Sequence, residues 1–326
     1  MDSSHTPAAS GTSDAACSGR SFDLYAEITR QITAMLEKGV VPWRSPILGQ
    51  SQGGFPRNFH SKKPYRGVNV FLLSIVSYLK GFSSAYWLTF RQAKEAGGSI
   101  KKGEHSSLVV FWKKTQIEDT QTHEKKNVFV ARYYRVFSVD QCNGIAAPDA
   151  APVTPTDYTP IDAAEKIVKG YADGPAIKHG GQQAYYRPST DTVKIPEPTR
   201  FSSTELYFGT LLHELSHSTG ARKRLDRGLE AKLMPFGSPD YGKEELIAEM
   251  SAAFLCGHAG IAPAVIENQA AYVSSWLGRI KQDKKLIIQA AAAGQRAADW
   301  ILGQRYVDAS EPAVPPETGA AEVAQP

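Results

Sequence analysis

Apolar side chains recur every three to four positions in SFDLYAEITRQITAMLEKG, at Leu24, Ile28, Ile32, Met35 and Leu36. That spacing lines one stripe of a helix, and Gly39 supplies its stop. Val41-Pro42-Trp43 follows as a turn, and the same period predicts helices over residues 69–79 and 89–96. After Gly97-Gly98 the pattern changes. SLVVFWKK and NVFVARYYRVFSV are rich in β-branched and aromatic residues and flank the polar stretch 115–126, as the two strands of a hairpin do. The front of the chain is therefore predicted to be an α+β module ending in a hairpin.

Residues 143–160, NGIAAPDAAPVTPTDYTP, hold repeated Pro and Ala with almost no large apolar side chain, so they are expected to form an extended linker. Residues 1–20 and 307–326 have similar composition and are expected to be disordered. Two domains follow, 21–142 and 161–306, in keeping with 326 residues, which exceed what one core usually organises. In the second, QAYYR and VKIP flank a Ser-Thr-Asp turn and predict a hairpin whose outer strand runs past an active site. A helix then starts at a capping box, Ser202 with Glu205, carries Leu211, Leu212 and Leu215, and ends at Gly220; a further helix covers about 239–256.

That first helix contains His213-Glu214-Leu215-Ser216-His217, a pattern that shuffling this composition yields roughly once in a hundred chains. One helical turn brings the two imidazoles to the same face, which suits a zinc ion. Catalysis needs a third protein ligand and an open position for water. Glu245-Leu-Ile-Ala-Glu249 offers two carboxylates on one face of the next helix. Glu245 is assigned as ligand and Glu249 as the hydrogen-bond partner of a ligating imidazole, the reverse assignment remaining open. Glu214, beside the metal but not bound to it, is assigned as general base and acid. Tyr241, His258 and Tyr272 are candidates for stabilising a tetrahedral intermediate. A metal that only staples the two helices is the plainer alternative.

Charge changes the picture of the front half. The chain carries +4 overall, yet residues 21–142 hold 18 Lys and Arg against 9 Asp and Glu, which leaves −5 for the rest. The cations there interleave with aromatic and amide side chains: Trp43, Arg44, Arg57, Asn58, Lys62, Lys63, Tyr65, Arg66, Asn69, Trp87, Lys101, Lys102, Trp112, Lys113 and Lys114. Single-stranded nucleic acid needs that combination, a basic track for phosphates and flat faces for unpaired bases. Cys17, Cys142 and Cys256 form no Cys-x-x-Cys pair, which argues against a disulfide framework and a thiolate zinc cluster. No apolar run approaches the roughly 20 residues of a membrane span, and the first residues lack the basic start and apolar stretch of a secretory signal, so a cytoplasmic location is expected.

The blocks GVVPWRSP, PRNFHSKKPYRGVN, YWLTFRQAKEAGGSIKKGEHSSLVVFW and RVFSVDQC, followed by AYYRPSTDTVKIP, TLLHELSHSTG and EELIAEMSAAFLCGHAGI, resemble the ArdC-type antirestriction proteins of conjugative plasmids and the related N-terminal region of plasmid TraC-type primases. The resemblance covers roughly residues 21–305. It implies an N-terminal single-stranded DNA-binding domain, a C-terminal zincin-like metallopeptidase domain, and protection of transferred DNA from host restriction. His213, Glu214, His217, Glu245 and Glu249 match the metallopeptidase motif, and Arg57, Asn58, Tyr65, Arg66, Gly67, Asn69, Trp87 and Lys102 match the front-domain blocks. No region matches a nucleotidyl-transfer site. The expected partners are single-stranded DNA and, for a DNA-directed protease, restriction-enzyme subunits or other DNA-bound proteins.

Overall fold

The computed structural model describes residues 22–44, 52–118, 125–148, 160–230, 238–261, 269–304 and 322–323. Cys17, most of the expected linker and nearly all of both termini lie outside them. The first helix, α1 (Leu24–Leu36), is capped by the Asp23 carboxylate, which accepts from Ala26 N at 2.9 Å, and it buries the five predicted apolar positions. Strand β1 (Gln52–Asn58) follows, then α2 (Val68–Lys80), β2 (Ser84–Leu88), α3 (Phe90–Glu95), β3 (Ser99–Ile100), β4 (Ser107–Glu118), β5 (Lys125–Ser138) and β6 (Cys142–Asn143). The predicted hairpin is β4–β5, and its strands run well into the polar stretch, paired in register from Ser107↔Val136 to Glu118↔Lys125.

Sequence pattern alone did not show β1. Gly53, Gly54 and Pro56 look like a turn, yet the segment pairs in parallel with β2, and Gly54, at φ +80°, lies where the register shifts. β2 in turn pairs antiparallel with β5, and α2 packs on this sheet. Asn69 fastens the packing: its side-chain amide donates to Val110 O at 2.7 Å while its oxygen accepts from Val110 N at 2.8 Å.

The second half runs α4 (Pro160–Gly170), β7 (Ala176–His179), β8 (Tyr185–Arg187), β9 (Thr192–Ile195), α5 (Thr204–Ser218), α6 (Pro239–Ala259), α7 (Gln269–Gln282), α8 (Leu286–Ile301) and β10 (Glu322–Val323), the last beside β5. The hairpin β8–β9 turns through Asp191, at φ +45°, and β7 joins β9 in parallel. The whole is α+β, with a mixed sheet in front and a helical layer over a small sheet behind.

The halves meet over an apolar junction. Trp43 is fully buried between Phe71 (6.0 Å between centroids) and Trp276 (5.6 Å), and Phe71 stacks on Phe254 of α6 at 5.0 Å. Thr29 donates to Lys284 O, Gly67 N donates to the Gln295 side chain, and Arg66 pairs with Asp299. Apolar side chains of α1, α2 and α4 to α8 consequently form one cluster.

Candidate metal centre

Helix α5 begins one residue later than the sequence suggested. The Ser203 hydroxyl, not that of Ser202, caps it, accepting from Leu206 N at 3.1 Å, and Glu205 stays exposed. Its inward face crosses α6 through two small residues, Ser216 and Ser251, both fully buried, whose hydroxyls lie 2.9 Å apart. With no bulk between the helices, Glu245 of α6 reaches both histidines of α5.

The three donor groups form a tight triangle. His213 Nε2 lies 3.2 Å from His217 Nε2 and 3.6 Å from Glu245 Oε2, and His217 Nε2 lies 3.4 Å from Glu245 Oε1. Two imidazoles and a carboxylate bound at about 2.0–2.1 Å in a tetrahedron would stand about 3.3 Å apart; taking one ligand atom from each residue, the three lie within 4.8 Å of one another, so the donor set suits a divalent ion that draws them slightly together. Among the described residues this is the one His/Cys/Asp/Glu group compact enough to hold a metal.

Electrostatics favour holding a positive charge there. Burial disfavours the protonated ring of His213, but the adjacent Glu245 carboxylate wins and its pKa is raised. Burial likewise opposes charge on His217, yet Glu245 and a hydrogen bond to Glu244 lift it well above the ordinary value. Burial pushes Glu245 up, and the two imidazoles more than reverse this, leaving it an ionised carboxylate.

Behind the triangle stands a residue that sequence reasoning missed. Glu244 Oε1 meets His217 Nδ1 at 3.2 Å, and Arg227 holds that carboxylate through two hydrogen bonds of 2.6 and 2.9 Å. Its neighbour, the Glu245 of the ELIAE motif, hid it; the acidic pair Glu244-Glu245 was the only signal available. Glu249 faces the other ring, 3.9 Å from His213 Nδ1, beyond hydrogen-bond length. Arg44 binds the Glu249 carboxylate through two hydrogen bonds of 2.9 and 3.2 Å. Glu214 is buried beside His213, and its carboxylate makes no hydrogen bond among the described residues. His258 sits 13 residues beyond Glu245 on α6, about 20 Å along the helix, against the Phe55 ring. That distance removes it from the centre. Tyr241 lies one turn before Glu245 on the same helix face, half-buried, whereas the Tyr272 side chain lies outside the described ones.

The residues expected to touch DNA separate into two groups. Trp43, Asn58 and Trp87 are fully buried, and Tyr65 and Asn69 nearly so. A ring enclosed on both faces offers nothing for a base to stack on, so in this conformation these five build the scaffold instead. The Asn58 side chain organises the turn after β1, accepting from His60 N and Ser61 N. Lys62, Lys63, Lys101, Lys102 and Trp112 are exposed, and Arg57 and Arg66 half-buried. The Lys62 ammonium lies 4.3 Å from the Phe59 ring centre and 5.2 Å from that of Tyr86. No helix among the described residues is long and apolar enough to cross a membrane.

Comparison with known proteins adds identity to this geometry. A family model described as the N-terminal domain of anti-restriction factor ArdC matches residues 22–137, and one described as a zincin-like metallopeptidase matches 162–293. The y4eC protein of Sinorhizobium fredii is 37% identical over 87% of this chain and 92% of its own length. An Escherichia coli DNA primase TraC is 32% identical over 84% of this chain, which spans only 19% of that primase. Crystal structures of the antirestriction ArdC protein from plasmid R388 superpose with a TM-score of 0.68: a metal-free form, 36% identical, and a Mn(II)-bound form, 35% identical. Each is matched over 86% of this chain, and over 97% and 98% of its own length respectively.

Proposed function

The chain belongs to the ArdC-type family of antirestriction proteins, and from that premise we propose that it binds single-stranded DNA through its front half and carries a zinc site of metallopeptidase type behind, protecting transferred DNA from host restriction. The donor triangle carries the second part of this reading: two imidazole nitrogens 3.2 Å apart, each within 3.6 Å of a Glu245 carboxylate oxygen, with a further carboxylate facing the far nitrogen of each ring. His213, His217 and Glu245 would hold the ion. Bound there, it would supply Lewis-acid polarisation of a carbonyl and a water activated at neutral pH.

Glu214, whose carboxylate makes no hydrogen bond among the described residues, would take a proton from the attacking water and return it to the leaving amine nitrogen. The Glu244–Arg227 pair fixes the tautomer and ring plane of His217 through Nδ1. Tyr241 and Tyr272 remain the candidates for stabilising a tetrahedral oxyanion. The exposed cations Lys62, Lys63, Lys101 and Lys102 meet the phosphates. The exposed Trp112, with Phe59 and Tyr86 beside Lys62, supplies faces for bases.

A restriction-protection assay during conjugation tests the proposal. Charge reversal at Lys62, Lys63, Lys101 and Lys102 is expected to abolish protection and the salt-sensitive binding of single strands; equal, salt-insensitive binding of single and double strands by the wild type would overturn the DNA part. Glu214→Gln separates two mechanisms. Full protection by that variant assigns protection to DNA occupancy, whereas its loss, together with chelator-sensitive cleavage of a DNA-bound protein such as a restriction subunit, assigns it to proteolysis.

A further inference from the structure

Each imidazole of the donor triangle is backed by a carboxylate, and each carboxylate by an arginine, but the two arginines come from different halves of the chain. Behind His217 stand Glu244 and Arg227, both from the zincin-like half. Behind His213 stand Glu249 and Arg44, and Arg44 lies 205 residues away in the front half. The Glu249 oxygen nearest His213 Nδ1 is Oε1, the same oxygen that receives the 2.9 Å hydrogen bond from Arg44 Nη2. We propose that Arg44 is a positioning residue for the metal centre: through Glu249 it orients the His213 ring, so the centre is completed only when the front half is docked.

This inference rests on the metal-site reading above and adds to it a residue from outside the zincin-like half. Both partners of the Arg44–Glu249 pair are about 95% buried. Burying two charges sacrifices hydration that their attraction barely restores, and an apolar pair would fill such a junction at least as well. The pair is therefore poorly explained as glue. What an apolar pair cannot supply is a carboxylate oxygen 3.9 Å from His213 Nδ1, longer than a hydrogen bond but near enough for its charge to favour the ring orientation that turns Nδ1–H toward it. Arg44 is itself held by its neighbour, since Trp43 is wedged between Phe71 of α2 and Trp276 of α7. The place of the guanidinium thus follows the docking of the two halves.

The test uses the full-length protein, with Zn(II) affinity from chelator competition, the visible spectrum of the Co(II)-loaded form, and melting of the metal-free form. Failure of the wild type to bind either metal would sink the metal-site reading itself and not this inference alone. Given wild-type binding, Arg44→Met with Glu249→Leu removes both buried charges together, so neither is left uncompensated. It is expected to bind Zn(II) about 10–100-fold more weakly and to shift the Co(II) bands, with Arg44→Lys intermediate because it keeps the charge but loses the fork. A folded double variant with Zn(II) affinity within about twofold of wild type and an unchanged Co(II) spectrum would overturn the inference, whatever its melting temperature. Should the double variant not fold, Arg44→Lys decides: weaker binding with altered bands supports the assignment, and wild-type values overturn it.

Discussion

Metal affinity in this protein is expected to vary with pH beyond the range set by ordinary histidines. Binding at His213 Nε2 and His217 Nε2 requires both rings to surrender the proton they hold when charged. Burial works against that charge in the metal-free site, but the adjacent Glu245 carboxylate raises the His213 pKa, and Glu245 with Glu244 raises that of His217 further. Glu245, lowered by both rings against the opposing effect of burial, has no proton to release near neutrality. At most two protons therefore leave as the ion enters. Each contributes a factor of about ten in Kd per pH unit below its pKa and nothing above it. Affinity weakens as pH falls, by as much as about a hundredfold per unit where both rings are charged. Rings with the usual pKa near 6.5 would show a level affinity from about pH 7.5 upward; here the His217 contribution persists beyond that point. Zn(II) competition against a chelator of known protonation, from about half a unit below to about two and a half units above the ordinary His pKa, measures the curve. Glu244→Gln removes one charge that sustains the His217 proton, so its curve should flatten sooner. A wild-type affinity already level from pH 7.5, or a Glu244→Gln curve of unchanged shape, would refute the reasoning.

Three further outcomes follow from the geometry. Trp87→Ala, at a fully buried site, is expected to cost about 3–5 kcal/mol in thermal or denaturant unfolding, whereas Trp112→Ala should leave stability nearly unchanged and weaken single-strand binding by about 1–3 kcal/mol; a Trp87 variant of normal stability that no longer binds DNA would return that ring to the interface. Glu214→Gln should retain metal affinity and melting temperature while lowering any peptide-bond hydrolysis at least about a hundredfold, and undiminished turnover would remove Glu214 from the reaction. Asp191 is pushed up by burial, but Arg224 and Lys223 outweigh this and hold it at about 2 against an ordinary 3.8. Its folded pKa is depressed, so its contribution is complete above about pH 4 and lost as pH falls toward 2. Acid unfolding of Asp191→Asn should lack that component; an identical acid profile would refute it.

What the sequence determined by itself lies within single elements. Helix geometry sets the relation of His213 to His217 and of Glu245 to Glu249 whatever surrounds them, because residues four apart share a face. The period of α1 and the alternating, β-branched strands of β4–β5 were legible for the same reason. Everything that depends on two elements meeting was decided by packing. Composition placed Trp43, Asn58, Tyr65, Asn69 and Trp87 among the DNA contacts beside Trp112, since an aromatic or amide side chain looks the same in sequence whether its partner is a base or a core; only the sheet, α2 and the junction determine which are enclosed. β1 was hidden because its glycines and proline obey a pairing with β2 that lies outside the local chain. The acid behind His217 is Glu244 and not Glu249, and Glu249 belongs to Arg44, because the small residues at the α5–α6 crossing set how closely and at what rotation the helices meet. Local geometry could place two histidines and two carboxylates on two faces. Bringing those faces within 3.6 Å, and an arginine from the other half behind them, took the tertiary fold.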